Sequence, residues 1–144
     1  MLDLNKKSYV AIVQCHIVKE RCSGYFCEKA LRERSGGFAG YPPEKVYRYV
    51  MLTCGGCCGR ALQRKLAHLC ARLQKHEGIE KQEVVVQLST CITKASHHGS
   101  VCPHLDSLKT AIARLGLDFM EDTRISPRAQ ARREAGAYTE HKSV

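Results

Sequence analysis

Short apolar runs of strand character alternate along this chain with longer amphipathic runs of helical period, and that alternation narrows the architecture more than any other feature. Tyr9 to Gln14 (Y-V-A-I-V-Q), Lys45 to Leu52 and Glu83 to Leu88 (E-V-V-V-Q-L) are apolar with little alternation. Strands buried on both faces read this way, and they belong to parallel sheets covered by crossover helices. Leu62, Leu66, Leu69 and Leu73 recur at helical spacing, which predicts a helix over Arg60 to Glu77 that Gly78 closes. Leu105, Leu108, Ile112 and Leu115 repeat the pattern before Gly116.

Leu117 to Met120 supply a fourth strand, and Ser23 to Arg34 a first crossover helix with Phe26, Ala30 and Leu31 on one face, followed by the loop S-G-G-F-A-G-Y-P-P. The expected order is β-α-β-α-β-α-β. That order implies an α/β fold, a three-layer sandwich with a mostly parallel four-stranded sheet of Rossmann/flavodoxin-like type and right-handed crossovers. Residues 1–123 form the expected single domain. From Ser126 onward no apolar stripe is sustained, so that stretch reads as weakly helical or disordered and 124–144 as a basic, flexible tail.

The turn T-C-G-G-C-C-G-R, from Thr53 to Arg60, joins the second strand to its helix with three cysteines and three glycines. Gly55 and Gly56 permit positive φ and close backbone approach to a ligand. The thiols of Cys54 and Cys57 lie near a helix N-terminus, which lowers thiol pKa. Cys15 follows the first strand and Cys91 the third, so the cysteines gather at the carboxyl edge, where open α/β sheets bind ligands. H-H-G-S-V-C-P-H, from His97 to His104, adds Cys102 and His104 from another turn leading into a helix.

Nine cysteines and seven histidines are many for 144 residues. Nothing at the N-terminus has the layout of a secretory signal, so the expected setting is a reducing cytoplasm, where clustered cysteines indicate metal or thiol chemistry rather than disulfides. No apolar run approaches the length of a membrane span. The formal charge of +9 is spread over polar helix faces, with five basic and two acidic residues between Arg124 and Val144. No stacking aromatics interleave with the basic residues, which argues against a nucleic-acid surface.

Soft thiolates with imidazole suit zinc first and an iron-sulfur cluster second. The candidate ligands are Cys15, Cys54, Cys57, Cys91, Cys102 and His104, although Cys15 also fits an ordinary buried position. Cys22 and Cys27 read either as an outer pair guarding the site or as a helix anchor. His97 and His98 either join the site or stay exposed, Cys70 falls on the apolar helix face as core, and His68, His76 and His141 are solvated. Four protein ligands would close the site for a structural or storage role. Three with an open position would permit Lewis-acid catalysis, and the sequence leaves enzyme and binding protein both open.

These motifs resemble the CGGC-domain family over most of residues 9–123. The resemblance is carried by the strand ending in Cys15, C-S-G-Y-F-C from Cys22 to Cys27, C-G-G-C from Cys54 to Cys57, S-T-C-I from Ser89 to Ile92, and C-P-H from Cys102 to His104. It implies a metal-binding protein, the family being so described from its Cys and His content. Cys58 stands where the family commonly has proline, which adds a neighbouring thiol.

Two other chemistries fit the same turn. Cys-x-x-Cys opening a helix is also the layout of thiol-disulfide exchange, with Cys54 attacking and Cys57 resolving. Cys54 and Arg60 fit the C-x5-R oxyanion loop of cysteine phosphatases and arsenate reductases, but Ala61 replaces the usual Ser or Thr and no general-acid Asp loop is evident.

Overall fold

The computed structural model describes residues 2–138. Four strands, β1 (Tyr9–Gln14), β2 (Arg48–Thr53), β3 (Val84–Leu88) and β4 (Asp118–Glu121), form one all-parallel sheet in the order β2-β1-β3-β4. Its crossovers are α1 (His16–Lys19) and α2 (Tyr25–Glu33), then α3 (Arg60–Glu77), then α4 (Thr90–Thr93) and α5 (Leu105–Arg114), with α6 (Pro127–Glu134) after the last strand. The architecture is the expected α/β flavodoxin-like sandwich. Strand order reverses between β1 and β3, so the switch point of the sheet lies between their carboxyl ends.

β1 is buried at every position and divides its side chains between two cores. Tyr9, Ala11 and Val13 join Leu62, Leu66 and Leu73 of α3 and Leu108 and Ile112 of α5 on one face. Val10 and Ile12 face Ala30 and Leu31 of α2 with Phe38, Tyr41 and Tyr47 on the other. The three rings pack edge to face, at 5.2 Å between successive centroids. Each fully buried Val, Leu, Ile or Phe among them contributes roughly 1.5–3 kcal/mol through the area it removes from water.

The bounds of α3 and β1 coincide with the sequence reading, β3 starts one residue later than read, and β4 is shifted by one residue at both ends. The run Lys45–Leu52 departs from it further. Its first three residues precede β2, Val46 is 87% exposed, and β2 pairs only with β1, so this strand is a half-exposed edge rather than a buried strand. The segment lacking an apolar stripe forms α6, capped by Ser126 Oγ accepting from the Ala129 amide at 3.3 Å and started by Pro127. Arg133 ties α6 to the body by donating to the Ala95 carbonyl at 2.8 Å. Residues 139–144, with His141, lie outside the described residues. Among the described residues no helix is long and apolar enough to cross a membrane.

One buried amide joins β3 to the loops on the α2 side. Gln87 Nε2 donates to the carbonyls of Asp122 (2.6 Å), Gly37 (3.1 Å) and Glu121 (3.3 Å), and its Oε1 accepts from Tyr41 at 2.6 Å. Gly37 passes so close that a Cβ there would lie 2.0 Å from the Asp122 carbonyl oxygen. Burial raises the Tyr41 pKa, first by desolvation and then through Tyr47, which keeps the hydroxyl protonated as a donor. Replacing Gln87 with Leu orphans these partners and is expected to lower stability by about 3 kcal/mol, whereas Tyr41→Phe costs about 1 kcal/mol. Urea unfolding of both variants checks the difference.

Candidate functional site

The parallel register sets the cysteines side by side. Gln14 pairs with Thr53 and Val13 with Leu88, and the ladder continues past the strands as the Cys54 amide donates to the Gln14 carbonyl (3.0 Å) and the Ser89 amide to the Val13 carbonyl (2.9 Å). Cys15, Cys54 and Ser89 therefore leave three adjacent strands at one level. Cys91, the second residue of α4, has its Sγ 3.4 Å from the Cys15 amide and 2.9 Å from Ser89 Oγ. Cys102 returns to the same edge because its amide donates to the Ile92 carbonyl at 3.0 Å, and its Sγ accepts from the His104 amide at 3.4 Å.

These thiols share one electrostatic environment. Burial pushes the Cys91 pKa up, Ser89 and the Cys15 amide lower it, and the charges of Cys15 and Cys27 raise it again. Burial likewise raises Cys102, opposed by the His104 amide and reinforced by Cys54 and Cys15. Each thiolate formed here makes the next costlier, and a bound cation would reverse that sign. The donor chemistry thus fits a soft metal. Its convergence is not preformed, since among the described residues no three Cys, His, Asp or Glu side chains come close enough together to hold an ion.

Cys57 belongs to a different environment. It is half-buried at the start of α3, where the amides of Ala61, Gly59 and Arg60 lower its pKa. Cys54 is only 4% exposed, with the Gly56 amide 3.5 Å from its sulfur. In a dithiol reaction the helix amides therefore activate Cys57 and burial shields Cys54, the reverse of the roles read from the sequence. The C-x5-R reading weakens for the same reason, because the amides that would cradle an oxyanion serve Cys57. Gly55 holds this loop against the helix: its φ is +80°, and a Cβ there would lie 2.3 Å from the Ala61 Cβ.

Of the remaining residues, His104 is exposed as the N-cap of α5, and Cys58 is exposed. His97 and His98 stack at 4.0 Å, His97 exposed and His98 half-buried, with burial lowering the His98 pKa. Cys70 packs with Leu66 and Leu73 in the core, while His68 and His76 are exposed. Cys22 and Cys27 line a cavity that also reaches Cys15 and Cys91. Sequence reasoning passed over His16, whose ring lies against Gly56 and whose Nδ1 shares a 3.0 Å hydrogen bond with Thr53 Oγ1. Its signal was its place directly after Cys15 at the strand end. Lys65 Nζ donates to the same Oγ1 and to the Thr53 carbonyl, both at 2.9 Å, fixing the start of the loop.

The molecule is thus an α/β sandwich of flavodoxin-like topology with a thiol-rich carboxyl edge. The sequence profile described as the CGGC domain matches residues 9–124, most of the chain, and the protein belongs to the CGGC-domain family. No curated protein and no solved structure matches the chain. Family membership and the nine cysteines fit a metal-binding role.

The two thiol environments are separable by pH. Iodoacetamide labelling followed by mass spectrometry is expected to modify Cys57 at lower pH than Cys91 or Cys102, because amide donors favour the first thiolate and burial disfavours the other two. Equal labelling profiles would contradict this assignment.

Proposed function

We propose that this protein binds a soft metal ion, zinc in first place, through thiolates at the carboxyl edge of its sheet. The carrying observation is that Cys15, Cys54, Cys91 and Cys102 leave neighbouring elements at one edge, where Cys15 weighs against ionisation of Cys91, and Cys54 and Cys15 against that of Cys102. Thiolate ligands and a dication answer that imbalance directly. Cys57 and His104, at the rim, complete the ligand pool. Tightening around an ion falls to the glycine turn at Gly55 and Gly56 and to the loop before α5. Reduced thiols are required, which fits a cytoplasmic protein. Zinc bound there would supply Lewis acidity if one position stayed open to water, and a folded, closed site if it did not.

A second reading, thiol-disulfide exchange between Cys57 and Cys54, is favoured by one observation, the lowered pKa of Cys57 at the α3 amides. Cys57 would attack a disulfide as thiolate, and Cys54 would then displace the bound partner as a second thiolate, leaving an intramolecular disulfide and two reduced sulfurs on the partner.

Elemental analysis and a visible spectrum of untagged protein purified without oxygen separate the readings. The expected result is zinc near one equivalent per chain and no colour. Iron with labile sulfide would replace zinc by an iron-sulfur cluster, and folded, reduced protein that takes up neither would overturn the metal reading and leave the dithiol. Cys54→Ser and Cys102→Ser are expected to lower zinc affinity at least about tenfold, whereas Cys70→Ala, in the core, leaves it unchanged. Because Cys91 and Cys102 must lose protons held by burial, zinc affinity is expected to rise from about pH 6 to about pH 8, as read by competition with a chromophoric chelator.

A further inference from the structure

Between the carboxyl ends of β1 and β3, α2 and α6, the surface opens into a cavity of about 440 Å³, within the size range of small-molecule sites. It occupies the switch point of the sheet. Four thiols line it, Cys15, Cys22, Cys27 and Cys91, together with five cations, Lys19, Arg124, Arg128, Arg132 and Arg133, and among the described residues no carboxylate. Among the described residues none of these cations pairs with an Asp or Glu. Arg124 lies 3.8 Å over the Phe26 ring, which turns an apolar wall and a cation toward the same space.

Two polar atoms here lack partners among the described residues. Arg133 donates through Nη1 to the Ala95 carbonyl and through Nε to Gln130 Oε1, yet its buried Nη2 has no acceptor. Gln14, at the end of β1, is only 4% exposed and its Oε1 has no donor, while its Nε2 reaches only Met51 Sδ at 3.8 Å. Orphaned buried polar atoms are uncommon, and an acceptor-seeking guanidinium and a donor-seeking amide lining one cavity describe a ligand by its complement.

We propose that this cavity binds a small organic anion, a phosphate or carboxylate on an apolar body that also carries a hydroxyl or N–H donor. The anionic group pairs with the arginines of α6, the apolar body lies against Val18 and Phe26, and the donor reaches Gln14 Oε1. Cys15 and Cys91 are common to this cavity and to the thiol edge, so the anion is held beside those sulfurs. This site does not rest on the metal reading. Its cations, orphaned atoms and volume are present whichever metal the thiols take.

The test titrates the full reduced chain by calorimetry with phenyl phosphate, phenylacetate, 4-hydroxyphenylacetate and, as a neutral control, benzyl alcohol. Binding of phenyl phosphate or of the carboxylates, with none for benzyl alcohol, is expected, and which anion binds tighter names the group. Arg128→Glu with Arg132→Glu, two exposed positions on α6, is expected to weaken binding at least about tenfold with an unchanged melting temperature. The bound anion is expected to slow alkylation of Cys22 and Cys27 while labelling of the exposed Cys58 is unaltered. The 4-hydroxyl is expected to improve affinity in the native chain and to lose that advantage in Gln14→Met. Silence of every anion, binding indifferent to the charge reversals, or no protection of Cys22 and Cys27 would overturn the site. A hydroxyl without benefit in the native chain would remove the role given to Gln14. Cys54→Ser, outside the cavity, is expected to retain anion binding, so loss of metal and loss of the anion are read separately.

Discussion

β1 has no solvent face and no free edge, and the rest of the molecule follows from satisfying it. A strand buried at six successive positions needs hydrogen-bond partners on both sides and apolar cover on both faces. Parallel neighbours supply the first, and they require crossovers, which supply the second. Since β2 and β3 run parallel to β1 in matched register, their carboxyl ends stop at one level, and the residues that follow are brought together by the ladder itself. The thiol edge is therefore a consequence of how β1 is buried. A mutation loosening β1 would scatter the sulfurs before any of them was altered.

That edge holds thiols in two electrostatic states. Cys91 and Cys102 are held toward the protonated form by burial and by one another's neighbours, while Cys57 is drawn toward the thiolate by the free amides of α3. The difference comes from backbone direction. A helix that begins at the carboxyl edge aims its unpaired amides there, and the turn between Thr53 and Arg60 has no room for any residue larger than glycine at position 55. Buried thiols make good ligands once a cation offsets their charge, and poor nucleophiles until then.

The sequence made some of this legible. α3 was read to the residue because its leucine period is clear and Gly78 stops it, and β1 because its apolar run is uninterrupted and ends in Gln14 and Cys15. β2 was legible as a strand but not as an edge, because Val46, Tyr49 and Val50 look the same in sequence whether or not a neighbour covers them. His16 escaped notice since its contact with Gly56 and Thr53 joins the ends of two strands far apart in the chain. Spacing reveals two thiols on one turn but not that the helix amides face Cys57.

α6 owes little to apolar burial. An eight-residue helix without a buried side chain looks unfit to fold, and its arginines look like solvated charges. It is held by polar devices instead: a serine cap, proline in the first turn, and an arginine reaching a carbonyl on the loop after α4. The arginines held this way stand at the mouth of a thiol-lined cavity. Charges at such a mouth are screened less than charges spread over an open face, so they act on whatever enters. Positive potential there favours an anion over a neutral solute, which sets the basic C-terminal segment beside the thiols of the sheet edge.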